Sequence, residues 1–180
     1  MKKLLDIYST NKVKLTPLLS ADSNILFKWI NDPELVHYNA SYLPIDDISH
    51  KEWFELVRKN NSVRIFAIRK TDDDHLVGTC QLHSINLVHR MAELQIRIGE
   101  NSEQQKGFGT DAVKLLLQFG FKELGLNRIY LHVFQDNKRA VNVYEKAGMK
   151  IEGKLREAAF INGSFKNILI LSILKNDFSS

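Results

Sequence analysis

Between Ile98 and Thr110 an apolar stretch ends, a polar loop from Gly99 to Lys106 follows, and Gly107-Phe108-Gly109 opens a long segment with helical periodicity. A strand, a polar loop and a helix started by two glycines restrict the chain more than any other feature. Glycine lets the backbone turn sharply and leaves N–H groups bare to a ligand. A helix start adds four donors without intrahelical partners and the positive end of the helix dipole. Each hydrogen bond to a charged phosphate contributes on the order of 1.5–3 kcal/mol, so several together hold a pyrophosphate without a metal. Two other phosphate loops are excluded. No Gly-Lys-Ser/Thr is present, and Gly107-x-Gly109 lacks both the third glycine of the dinucleotide fingerprint and the acidic residue that a ribose requires. Taken alone, two glycines also serve simply to shape a turn.

The flanking pattern mixes strands and helices. Val13 to Leu18 reads as a short strand ended by Pro17, and Asp22 to Ile30 as a helix with an apolar face at Ile25, Leu26, Trp29 and Ile30. Asn31-Asp32-Pro33 breaks that helix. Ser49-x-x-Glu52 has capping-box spacing ahead of Trp53 and Phe54, which predicts a second helix. Arg64 to Lys70, Leu76 to Ile85 and Met91 to Ile98 read as strands, the last two joined by a loop from Asn86 to Arg90. A helix from Phe108 to Leu124, a strand over Arg128 to Phe134 and a helix over Lys138 to Lys146, stopped by Gly148, come next. Two strands, Met149 to Ile161 and Phe165 to Leu174, meet at Asn162-Gly163, the strongest short hairpin signal in the chain. The expected class is a mixed α/β domain.

At 180 residues the chain fits one domain that buries about 70% of its extended surface, so no disulfide or metal staple is required. A single cysteine, Cys80, suits a reducing, cytoplasmic compartment. Met1 to Leu5 mimics a signal peptide until Asp6 interrupts it, and no stretch approaches the roughly 20 apolar residues of a membrane span. The formal net charge of +4 favours an anionic ligand but is too small and too evenly spread for nucleic acid. The six histidines show no metal-ligand spacing, and no metal is expected.

Gln104-Gln105-Lys106-Gly107-Phe108-Gly109 resembles the cofactor motif Gln/Arg-x-x-Gly-x-Gly/Ala of the GNAT superfamily of N-acetyltransferases. Asn137-Lys138-Arg139-Ala140, Tyr144 and Gly148-Met149 resemble its second motif, Asn-x-x-Ala-x-x-x-Tyr-x-x-x-Gly-Phe. Gly153-Lys154-Leu155-Arg156-Glu157, Asn162-Gly163-Ser164-Phe165 and Trp29-Ile30-Asn31-Asp32-Pro33-Glu34 are similar to the ribosomal-protein-acetylating branch. The resemblance runs from about residue 12 to residue 175. His89 to Ile96 and Ile129 to Val133 resemble bacterial spermidine N-acetyltransferases, and Ser49 to Phe54 resembles amino-sugar-nucleotide N-acetyltransferases. Two departures stand out: Asn39-Ala40-Ser41 replaces the acidic residues of the spermidine enzymes, and Asn167 stands where the branch carries aspartate.

The resemblance implies a mixed, mostly antiparallel central sheet flanked by helices. It also implies direct transfer of acetyl from acetyl-coenzyme A to a primary amine in a ternary complex, with homo-oligomerisation left open. The acceptor would be an amino-sugar nucleotide, a polyamine or a protein N-terminus. A binding-only regulatory domain for acetyl-coenzyme A is the alternative. The cofactor would lie on Gln104, Gln105, Lys106, Gly107, Phe108, Gly109, Thr110 and Asn137, and Asn137 would equally cap its helix.

The chemistry needs a neutral amine, a stabilised oxyanion and a protonated leaving thiolate. An alkylamine with pKa near 10.4 is neutral about once in 2,500 at pH 7, a penalty of about 4.6 kcal/mol that a general base removes. Glu93 is the candidate base, on the polar face of Met91 to Ile98 with Gln95 and Arg97; a solvated face with a Glu–Arg pair is the plain alternative. If Asn86 pairs with Arg90, His83 falls opposite Glu93 and could relay its proton, whereas a slip of one residue would remove it. Tyr144 is the candidate acid, or else a core aromatic. Cys80 invites a covalent mechanism, but its mid-strand position suits a buried, inert thiol better. Trp29, Tyr42, Trp53 and Phe54 belong to the core or to the acceptor pocket.

Overall fold

The computed structural model describes residues 6–36 and 43–178. Eight strands form one sheet in the order β1-β2-β3-β4-β5-β6-β8-β7. They are β1 (Tyr8–Ser9), β2 (Val13–Thr16), β3 (Arg64–Lys70), β4 (Leu76–Asn86), β5 (Met91–Ile98), β6 (Arg128–Phe134), β7 (Lys150–Ile161) and β8 (Ser164–Leu174). Among the described residues every strand pairing is antiparallel except β5 with β6, so the expected mixed sheet is what the chain builds. The helix between those two strands is α4 (Phe108–Lys122), the crossover that a parallel pair requires.

Helices cover both faces. On one, α4 buries Ala112, Val113, Leu116 and Leu117 completely against Leu82, Ala92 and Leu94, with α5 (Lys138–Lys146) adding Val141 and Tyr144. Fully burying a leucine is worth about 1.5–3 kcal/mol, so this stripe anchors α4 on the sheet. On the other, α1 (Ser23–Ile30) and α3 (Asp47–Lys59) place Leu26, Trp29 and Phe54 against Ala67 and Leu76. The residues Met1 to Leu5 and Tyr38 to Tyr42, Asn39-Ala40-Ser41 among them, lie outside the described residues.

Several expectations need correction. Helix α3 is capped by Asp46, not Ser49: the Asp46 carboxylate accepts the Ser49 N–H at 2.9 Å and the Ser49 hydroxyl at 2.6 Å. Aspartate is as good an N-cap as serine and sits one turn earlier. Asn31-Asp32-Pro33 ends α1 but also starts α2 (Pro33–Val36), with proline in its favoured first position and Asp32 accepting the Glu34 N–H. Strand β1 was not anticipated. Asn167, in place of aspartate, uses both ends of its amide, donating to Gln135 and accepting the Glu157 N–H where β7 bulges. Asn162 and Gly163 both take positive φ, the turn that this dipeptide favours.

Candidate functional site

Strands β5 and β6 pair over only three residues, ending at Glu93 and Tyr130. Beyond that point they part. The gap opens a cleft of about 1150 Å³, walled by Leu94 to Ile98 on one side, His132 to Phe134 on the other, and the start of α4 at its end.

The first helical hydrogen bond of α4 runs from the Asp111 N–H to the Gly107 carbonyl. The N–H groups of Phe108, Gly109 and Thr110 therefore precede the ladder and remain as donors. Gly107 and Gly109 differ in why they are glycine. Gly107 has φ +89°, whereas a Cβ on Gly109 would meet nothing nearer than Val143 at 3.7 Å. Gly107→Ala should cost about 1–2 kcal/mol through left-handed backbone, while Gly109→Ala should hold or raise stability by up to about 1 kcal/mol. Thermal melts of the two variants check this; equal losses would contradict it.

Of the eight residues expected at the cofactor, Gln104, Gln105, Gly107, Gly109, Thr110 and Asn137 line the cleft. The Phe108 side chain is buried in the main core, and the Lys106 ammonium pairs with Glu103 at 3.0 Å; neither residue lines the cleft. Arg139, not anticipated, hydrogen-bonds Gln104 at the rim. Asn137 caps α5, accepting the Ala140 N–H at 3.1 Å.

Glu93 and Tyr144 line the same cleft. Tyr144 is 7% exposed and belongs to the core as well, and burial pushes its phenol up to about 12. Cys80 is buried and its thiol is pushed up by desolvation, which suits an inert role. The register does set His83 opposite Glu93 and Gln81 opposite Gln95. Its premise was wrong, however: the ladder breaks after His83, where Ser84 takes φ +51°, and Asn86 pairs with Met91 rather than Arg90.

The His83 ring contacts the Ser84 hydroxyl at 3.2 Å, and the partner of Glu93 is His132 instead, with Nδ1 2.7 Å from the carboxylate. An ionised carboxylate only accepts, so the contact puts the ring proton on Nδ1 and leaves Nε2 of a neutral imidazole able to accept. No Glu93–Arg97 ion pair forms among the described residues. A signal for His132 was present. β6 alternates, so Tyr130 and His132 share a face, and a strand–helix–strand unit sets parallel strands side by side.

Beside the cleft, under α1 and α3, lies a second pocket of about 460 Å³. Trp29 and Trp53 line it, while Phe54 is core at 3% exposure; Tyr42 lies outside the described residues. Among the described residues no cluster of three or more potential ligands could hold a metal, and no helix is long and apolar enough to cross a membrane.

Residues 12–150 match the family model described as an acetyltransferase (GNAT) domain. The spermidine N(1)-acetyltransferase of Escherichia coli K12 is 31% identical over 175 residues, covering 94% of this chain and 90% of that protein. Its counterpart in Vibrio cholerae is 32% identical over 160 residues, covering 89% and 86%. A crystal structure of the Vibrio cholerae spermidine N-acetyltransferase in complex with CoA and spermine aligns with a TM-score of 0.84 at 32% identity, over 93% of this chain and 98% of that one.

Proposed function

Since the chain belongs to the GNAT acetyltransferase family and is an acetyl-coenzyme A-dependent N-acetyltransferase, we propose that it acetylates a primary alkylamine by direct attack, with the Glu93–His132 pair as the base and Tyr144 as the acid. The observation that carries this reading is the 2.7 Å contact between Glu93 and His132 in the cleft. His132 Nε2 takes the amine proton, and Glu93 holds the ring in that tautomer and offsets the charge it gains. Glu93 acting alone, or through water, is the simpler form of the same base.

The cleft suits the co-substrate. The free N–H groups of Phe108, Gly109 and Thr110, with Arg139 and Gln104 at the rim, would hold the pyrophosphate. Unpaired backbone along the parted β5 edge offers hydrogen bonds to an extended arm. Acetyl-coenzyme A supplies the thioester carbonyl that the amine attacks. Tyr144 keeps its proton across the working pH range and can give it to the departing sulfur, whose acid has a pKa near 8.5.

Spermidine, the acceptor named for the relatives, heads the acceptors to test, followed by amino-sugar nucleotides and the N-terminal amine of a protein that a ribosomal-protein-acetylating branch would imply. Glu34 and Glu93 line the cleft and suit a cationic end. A single buried Cys80 is compatible with a cytoplasmic setting.

Thiol release from acetyl-coenzyme A across that panel tests the reading. Tyr144→Phe should lower kcat by roughly 10²-fold while the KM for acetyl-coenzyme A holds, and Cys80→Ala should change neither. Full turnover in Tyr144→Phe would remove the acid role; binding of acetyl-coenzyme A without turnover on any amine would remove the proposed chemistry.

A further inference from the structure

The pocket under α1 and α3 has an unusual floor. Its walls are largely apolar, from Leu26, Trp29, Ile45, Trp53 and Ile65, and no aspartate or glutamate lines it. Yet Arg97 does, and among the described residues its guanidinium makes no ion pair and no hydrogen bond. Arg97 is more than half buried, and desolvation pulls its pKa down. A guanidinium partly withdrawn from water without a partner is destabilised, and a partner anion offsets that. Five donors in a planar fork match a carboxylate or a phosphate.

Trp29, in the wall of the same pocket, is closely seated on the backbone. A Cβ on Gly99 would fall 2.1 Å from the Trp29 ring, so the indole lies flat on the bare backbone of Gly99 and has no room to shift towards it. The polar floor is also ordered, since Gln81 donates to Gln95 across β4 and β5. The pocket adjoins the acetyl-transfer cleft: Gln95, Ile96 and Arg97 line both. Arg97 and Glu93 share one face of β5, four residues and about 13 Å of strand apart.

We propose that this pocket is the acceptor's second subsite, and that Arg97 selects an acceptor carrying an acidic group, carboxylate or phosphate, several bonds from the amine it presents to Glu93. The inference rests on the acetyl transfer described above. It makes the acceptor a zwitterionic or amino-phosphate molecule, not a chain that is cationic throughout. A polyamine would set its far ammonium against the Arg97 charge.

Matched pairs of amines test this, with kcat/KM measured for both members of each pair: 6-aminohexanoate against 1,6-diaminohexane for a carboxylate, and glucosamine 6-phosphate against glucosamine for a phosphate. The expected result is a preference of tenfold or more for the acidic member of at least one pair, which also tells carboxylate from phosphate. Arg97→Gln should bring that ratio close to one, and Arg97→Lys should keep part of it. Where neither member turns over, the same pairs are titrated into the CoA-loaded enzyme, and binding of an acid that Arg97→Gln abolishes is expected. Equal or better use of the diamine, a ratio untouched by Arg97→Gln, or no Arg97-dependent binding would each overturn the proposal. Spermidine turning over far better than every acidic amine would do so too, and would leave the acetyl-transfer reading standing. Failure of every amine together with failure to bind acetyl-coenzyme A would instead sink that reading.

Discussion

Glu93→Gln lowers kcat/KM for the amine by about 10²–10⁴-fold at neutral pH, the range that a positioned base contributes. Glutamine keeps the shape and one acceptor oxygen, so the cleft and the binding of acetyl-coenzyme A are retained while the charge is lost. At neutral pH only about one alkylamine in 2,500 is free base, so the variant depends on that fraction. Its rate should therefore climb about tenfold per pH unit towards the pKa of the amine, and the gap to the parent enzyme should narrow. The partner gives a sharper result. If Glu93 acts through His132 Nε2, His132→Gln costs nearly as much, and the double variant little more than either single, because groups that act as a unit lose their effect together. Glu93 acting alone predicts a severe loss in Glu93→Gln and a mild one in His132→Gln. Unchanged rates in both variants would exclude the pair as the base, whatever amine is acetylated.

The outcome for His132 illustrates what a sequence carries. Strands β3, β5 and β6 and helix α5 begin and end where alternation, helical period and the turn residues around them place them. Local chemistry decides such elements: β-formers at Arg64 to Lys70, the Asn137 cap, Gly148 with φ +94° closing α5. The opposition of His83 and Glu93 was also legible, although through a pairing that does not exist. Ser84 bulges and restores the register that the Asn86–Met91 pair would otherwise shift by one. Side-chain partnerships between strands distant in sequence were not legible. Glu93 and His132 meet across 39 residues, because α4 carries the chain over the sheet to lay β6 beside β5. The parting of those strands, which makes the cleft, depends on where pairing stops. Nothing in either strand alone encodes that. Likewise Arg97 read as one more polar residue on a solvated face, since only the packing of α1 and α3 over that face withdraws it from water.

Arg69→Met is expected to destabilise the chain by about 3–5 kcal/mol, the usual cost of stranding one member of a buried ion pair. Arg69 and Asp22 are each 7% exposed at the side chain, and one guanidinium nitrogen lies 2.7 Å from both carboxylate oxygens. The arginine also donates to the Thr16 hydroxyl and the Asp74 carbonyl, and Asp22 accepts the Leu19 N–H at 2.8 Å. Removing the cation leaves a desolvated carboxylate with one backbone donor, and the melting temperature should fall by on the order of 6–20 °C for a domain of this size. Asp22→Asn in the same background should recover part of the loss, because the stranded charge disappears with it. The pair also bears on function. It ties the entry of α1 to β3, and α1 carries Trp29, the wall of the pocket above Arg97. In Arg69→Met the KM for the acceptor should therefore rise well before the KM for acetyl-coenzyme A, whose proposed donors sit on α4 across the sheet. A melting temperature within 2 °C of the parent, which corresponds to about 1 kcal/mol or less, would mean that water reaches Asp22 and that the clamp does not hold α1 in place.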